Sequence, residues 1–216
     1  MGPDSDDDPR ASAELRNLLE RSRALGFLGP GPIDAHLAHA EPLVTLLAQL
    51  TSVEAAVTAL DLGSGGGVPG LILAVAFPSW RWVLLDAMEK RTAFLLAAAA
   101  QLDGDRIQVV RARAEVVGRD PSFRSAMDVV TARSFGAPAV VAECAAPLLR
   151  QGGLLVVSEP PDADGERWQV EGLTLLGFDP TPVATGSWVA FRLERPTSTS
   201  YPRAVGRPGK RPLWRP

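Results

Sequence analysis

Cysteine occurs once in the 216 residues, at Cys144, and histidine only twice, at His36 and His39. A single thiol forms no internal disulfide, and one cysteine with two histidines falls short of the four ligands of a structural zinc site. No metal is therefore expected, and a reducing, cytoplasmic setting is. Long apolar runs are also missing; the longest, around Phe94 to Ala100, is too short to cross a bilayer, so no membrane association is expected. A secretion signal needs a basic stretch followed by an apolar one, but Met1 to Pro9 carries Asp4, Asp6, Asp7 and Asp8 instead. Net positive charge is lacking too: the formal balance of -3 argues against a generally basic nucleic-acid binder. The sign is uneven, however. After Glu194 the chain holds Arg195, Arg203, Arg207, Lys210, Arg211 and Arg215 and no acid.

The length suits one domain with extensions. Residues 1–10 read as a disordered acidic tail and 11–56 as a helical extension, with leucines at 15, 18 and 19 in a first helix that ends near Gly26. The cluster Gly29-Pro30-Gly31-Pro32 separates it from a second helix over 33–50, which has one irregularity at Pro42. From about Val57 to Arg195, apolar runs alternate with stretches long enough for helices, the pattern of an open α/β sheet. Strands are expected at 57–62, 81–85, 107–111, 127–132, 153–158 and 187–194, with a further one near 182–185. Helices are expected at 70–77, 88–102, 137–150 and near 163–173. Consecutive apolar residues such as Trp82-Val83-Leu84-Leu85 predict strands covered by helices on both faces of a mostly parallel sheet. Beyond Pro196 the density of Pro, Gly, Ser and Thr predicts no regular structure, so 196–216 reads as a basic arm.

The stretch that carries chemistry begins where the first strand, ending Asp61-Leu62, runs into Gly63-Ser64-Gly65-Gly66-Gly67-Val68-Pro69-Gly70. Glycines this dense after a strand permit a tight turn and close backbone approach to a ligand, which sits at the carboxyl ends of such strands. Gly65 to Gly70 formally matches the dinucleotide fingerprint. Asp61 argues against that ligand, because its carboxylate would repel a diphosphate; it suits an ammonium group instead. S-adenosylmethionine has an ammonium, a sulfonium and no phosphate. Asp86 ends the second strand, 25 residues after Asp61, where an acid can accept hydrogen bonds from both ribose hydroxyls. Gly63 and Gly65 belong to the same candidate site. The bland alternative is a packing turn with Asp86 capping the next helix.

These residues, with Leu85-Asp86-Ala87-Met88-Glu89-Lys90-Arg91, Arg113-Ala114-Glu115 and Thr131-Ala132-Arg133-Ser134-Phe135, resemble the bacterial small-subunit (16S) ribosomal RNA methyltransferase G family, also called glucose-inhibited division protein B. The tail elements Tyr201-Pro202-Arg203, Gly206, Pro208, Lys210, Arg211 and Pro212 are similar to that family's basic end. The resemblance implies a Rossmann-like class I S-adenosylmethionine-dependent methyltransferase fold. It further implies cofactor contacts at Gly63, Val68, Ala114, Glu115 and Arg133, and methylation of guanine N7 in small-subunit ribosomal RNA. That nitrogen carries a free lone pair, so no general base is needed, and alignment of the reacting atoms suffices. No catalytic base is therefore expected.

The chain departs from the family in three places. Its amino-terminal helical region is shorter; His36-Leu37-Ala38-His39-Ala40-Glu41 keeps only the histidine of a His and Asp-Ser-Leu element; and Ser158-Glu159 stands where relatives tend to carry a lysine. His36 and His39 are read as one packed and one solvated side chain. Arg203, Arg207, Lys210 and Arg211, interleaved with Tyr201 and Trp214, are expected to contact RNA, and deletion of 196–216 is expected to leave cofactor binding intact. The partner is then ribosomal RNA or the small subunit, bound by a monomer. Other readings stay open: methylation of another RNA or a small molecule, a non-catalytic cofactor-binding protein, or a nicotinamide-dependent dehydrogenase.

Overall fold

The computed structural model describes residues 9–51, 56–160 and 167–215. The acidic head, residues 1–8, and the first part of the helix expected near 163–173 lie outside the described residues. Two helices open the chain, α1 (Pro9–Ala24) and α2 (Ile33–Leu50). The alternating part follows: β1 (Thr58–Leu62), α3 (Gly70–Ala76), β2 (Arg81–Asp86), α4 (Glu89–Leu102), β3 (Ile107–Arg111), α5 (Ala114–Val117), β4 (Met127–Ala132), α6 (Pro138–Ala145), β5 (Leu149–Ser158), α7 (Val170–Leu176), β6 (Val183–Thr185), β7 (Trp188–Arg192) and α8 (Arg207–Lys210). Among these, α5 and α8 were not expected from the sequence, and the helix foreseen over 137–150 stops at Ala145. The stop has a local cause, since Pro147 has no N–H to offer the carbonyl of Glu143.

The seven strands form one sheet in the order β3-β2-β1-β4-β5-β7-β6. The pairs β1/β2, β1/β4, β2/β3 and β4/β5 are parallel, while β7 runs antiparallel to both β5 and β6. Successive strand residues point to opposite faces, and two separate cores result. Ala59, Leu84, Val129 and Val156 face the side that holds Leu19, Leu43, Leu71 and Leu95 of α1 to α4. Leu60, Val83, Val130 and Leu155 face Val117, Val141, Leu173 and Trp214 on the other. The helices before β1 are thus part of the first core, and the carboxy-terminal segment closes the second. The strand order reverses between β1 and β4, so their carboxyl ends flank the crevice in which this kind of sheet binds ligands. Among the described residues no helix is long and apolar enough to cross a membrane.

Candidate functional site

The loop after β1 is tied to the end of β2: the N–H groups of Gly63 and Ser64 both donate to the carbonyl of Leu85, at 2.8 and 2.9 Å. Gly63 has φ +74°, and a Cβ there would stand 2.6 Å from the ring of Phe135. Only glycine meets both conditions, so the turn presents bare backbone. Gly66 is equally confined from the other side, where Ser22 Oγ donates to its carbonyl at 2.8 Å and a Cβ would meet Leu28.

Asp61 does not face outward from this loop. It is 1% exposed, its Oδ1 accepts from Thr131 Oγ1 at 2.9 Å, and its Oδ2 accepts from the Gly70 N–H at 3.2 Å. The expected direct contact with a ligand ammonium is therefore corrected: the carboxylate braces the loop from beneath. It still opposes a diphosphate, because it takes the amide at the start of α3 that such a ligand would use. Burial pushes the Asp61 pKa up to about 6, against the opposing hydrogen bonds from Thr131, Ser64 and Gly70 and the charge of Arg133.

This placement has a measurable consequence. An acid whose folded pKa lies above its unfolded value of 3.8 contributes stability at low pH that is lost as pH rises toward 6. Asp61→Asn keeps an acceptor for Gly70 and a donor for Thr131 without the buried charge. Urea unfolding should give a native-minus-variant stability that falls by about 3 kcal/mol between pH 3 and 7, most of it between pH 4 and 6, and stays level above pH 7. A flat difference would contradict the buried-charge account.

Asp86 lies open to the crevice, although only 5% exposed. Its Oδ2 accepts from the Gly65 N–H at 2.9 Å and its Oδ1 from the Met88 N–H at 2.7 Å, with Arg91 Nη1 3.7 Å away. The capping and ligand roles weighed from the sequence are compatible, since two bonds leave lone pairs on both oxygens. Asp86, Ala114 and Glu115 line a cavity of about 450 Å³. Glu115 Oε1 accepts from the Gly206 N–H at 2.9 Å and from Arg113 Nη2 at 3.3 Å. Burial opposes its charge, but these bonds outweigh it and hold the carboxyl below its ordinary range. Cys144 also borders this cavity, and burial first, with the nearby carboxylates, pushes its thiol far up, so it is no nucleophile.

A second lobe of about 230 Å³ is lined by Gly65, Val68, His36 and Arg133, with Phe27 to Gly29 as its outer wall. Both lobes share Gly63, Arg91 and Ser134. Ser134 has φ +54°, a conformation that residues with a side chain seldom adopt. Arg133 Nη2 lies 3.2 Å from His36 Nδ1. Of the two histidines expected as one packed and one solvated, neither is free: His36 is buried, and His39 is half-buried between the Ser158 and Ser187 hydroxyls, at 3.0 and 3.2 Å, and against Trp188.

The tail is a wall of this site and not a free arm. Gly206, Gly209 and Lys210 border the larger lobe. Arg203, expected on RNA, is bonded through Nε and Nη2 to Glu143 at 2.8 and 2.6 Å, and Glu143 is fully buried. Trp214 is buried against Gly172, and its Nε1 donates to the carbonyl of Arg167. Arg207, Lys210 and Arg211 remain exposed. No signal in a Pro- and Gly-rich segment announces such packing; nor did the sequence assign a site role to Phe27 to Gly29 or to Ser134.

Residues 37–163 match the family described as rRNA small subunit methyltransferase G. The chain belongs to this family. Proteins named ribosomal RNA small subunit methyltransferase G agree with it: that of Roseiflexus castenholzii is 39% identical over 71% of this chain and 70% of its own, and that of Roseiflexus sp. strain RS-1 is 37% identical over 94% and 89%. An O-methyltransferase family protein from Burkholderia thailandensis has the same fold, with TM-score 0.55, 16% identity and coverage of 76% of this chain and 58% of that one. As a member of the methyltransferase G family the chain is an S-adenosylmethionine-dependent methyltransferase with the class I fold. The residues present fit that cofactor: two lobes meet at bare glycine backbone, one with buried carboxylates for hydroxyl and amino groups, the other with a guanidinium.

Proposed function

We propose that this methyltransferase modifies N7 of a guanine in 16S ribosomal RNA, as a cytoplasmic monomer acting on the RNA or the small ribosomal subunit. When bound, S-adenosylmethionine supplies an electrophilic methyl group on a sulfonium between its nucleoside and amino-acid parts. Asp86 accepts hydrogen bonds from the ribose hydroxyls, Ala114 and Glu115 frame the adenine, and Gly63, Gly65 and Val68 admit the middle of the molecule against bare backbone. The observation that carries the reading is the junction of the two lobes. Its shared residues are Gly63, Arg91 and Ser134, with Phe135 adjoining, and none of them is a general base. A nucleophile that reacts there needs a lone pair already free of a proton, which guanine N7 has. Phe135 offers a face on which an unstacked base can rest.

Four cations, Arg91, Arg113, Arg133 and Lys210, border the two lobes, as suits a polyanionic substrate. Glu159, which stands where the resemblance leads one to expect a lysine, is paired with Arg167 at 3.0 Å, so its negative charge is not left bare toward a polyanionic substrate. Purified protein given labelled cofactor should transfer label to small ribosomal subunits or their RNA, and cells lacking the gene should lose one N7-methylguanine from 16S RNA. Label on a metabolite with none on RNA would overturn the proposal.

The exposed cations of the tail extend this surface. Arg207→Glu with Arg211→Glu, which touch neither lobe, should lower RNA affinity and reduce the slope of log K against log salt by about 1.5 to 2. Affinity for S-adenosylhomocysteine should stay unchanged. Filter binding over a salt series checks this, and an unaltered slope would remove these two residues from the RNA interface.

A further inference from the structure

We propose that His36 is a positioning residue for the amino-acid end of the cofactor: as a neutral imidazole it holds the Arg133 guanidinium in the second lobe, ready for the cofactor's carboxylate. The inference rests on the cofactor assignment and not on the identity of the methylated base.

Arg133 follows β4 directly, and among the described residues it has no carboxylate within 4.0 Å. The nearby acid, Asp61, is engaged by Thr131 and Gly70 beneath the loop. A half-buried guanidinium beside bare glycine backbone is a place for an anion, and the flat fork of donors suits a carboxylate. In S-adenosylmethionine the carboxylate is the one anionic group.

A guanidinium only donates, so the 3.2 Å contact between Arg133 Nη2 and His36 Nδ1 requires Nδ1 to accept. The proton of the neutral ring is then on Nε2, an atom buried with no hydrogen-bond partner among the described residues. The contact fixes Arg133 across 97 residues of chain. Burial, then the charge of Arg133, lowers the His36 pKa and keeps the accepting form at neutral pH, although the Gly29 backbone opposes this. With the acceptor gone, a long side chain regains rotamer freedom that binding must remove. The cofactor site is then incomplete without α2, which lies before the glycine loop.

Calorimetry on the full chain separates this role from a general structural one. Two ligands are compared: S-adenosylhomocysteine, and 5′-methylthioadenosine, which keeps the nucleoside and lacks the amino-acid group. His36→Ala should weaken the first about tenfold and change the second by less than about twofold. His36→Asn, whose Oδ1 can stand in for Nδ1, should restore the affinity, and His36→Gln should not. Arg133→Met, which leaves the buried imidazole in place, should remove the same preference, and combining it with His36→Ala should add nothing. Equal weakening of both ligands by His36→Ala, a Gln variant that rescues as well as Asn, or an Arg133→Met variant that keeps the preference, would each overturn the proposal. RNA plays no part in these titrations, so a different methylated substrate leaves their reading intact.

Discussion

Replacing Arg203 with alanine should destabilise the protein by about 3 to 5 kcal/mol, the cost of leaving a buried carboxylate without its partner. Glu143 is fully buried and takes three bonds from Arg203, those of the backbone N–H at 2.9 Å, Nε and Nη2. For a chain of this length that corresponds to a fall in melting temperature of about 10 °C. A second change that removes the orphaned charge, Glu143→Leu with Arg203→Met, should regain most of the loss, because paired apolar replacements of buried ions are close to neutral. Urea and thermal unfolding of the two variants decide it; an Arg203→Ala protein within about 1 kcal/mol of the native chain would mean that Arg203 is free after all. Deletion of 196–216 is the severe form of the same experiment. It removes Arg203, the Trp214 side chain and the Gly206 N–H that holds Glu115. Cofactor binding should therefore be lost along with RNA binding, contrary to the expectation for a detachable arm.

Asp86→Ala should lower affinity for S-adenosylhomocysteine about 100-fold, since two hydrogen bonds to a charged group contribute roughly 1.5 kcal/mol each at the least. The same carboxylate orders the protein side of the pocket through Gly65 and Met88. The variant should consequently lose a few degrees of thermal stability even without ligand, by the loss of those two backbone partners. Asp86→Asn, with one acceptor in place of two, should lie between. Because the ribose is common to both ligands, methylthioadenosine should weaken as much as S-adenosylhomocysteine, the reverse of the pattern expected at His36. An Asp86→Ala protein that binds both ligands normally would remove the carboxylate from the ribose site.

Asp61 and Asp86 mark how far sequence alone reached. Both lie at the carboxyl end of a parallel strand, and both were assigned to the ligand because glycines and acids at that spacing converge in an open sheet. Spacing along a strand places a residue at the crevice, but it does not say which way the side chain turns. Thr131 and Gly70, 70 and nine residues away, draw Asp61 inward, whereas Asp86 borders the cavity. Ala114, Glu115 and Arg133 were found through the resemblance; Ala114 and Glu115 border the larger lobe and Arg133 the smaller. Arg203 illustrates the opposite failure. A cation among prolines and glycines reads as a solvated arm unless its partner is known, and Glu143 sits 60 residues upstream in a helix whose sequence gives no hint that the position is buried.

The amino-acid sequence by itself determined the sheet, its covered strands and the glycine turn, because each follows from local periodicity or from a backbone conformation that glycine adopts most readily, and the ligand class followed from the acids beside that turn together with the resemblance. Tertiary structure alone decided which charges face the crevice and which brace it, and it made walls of the site from both ends of the chain. The physical reason is that burial and pairing are properties of surroundings: a carboxylate or guanidinium acts as ligand, brace or ion pair according to the groups that folding brings within 3 to 4 Å of it.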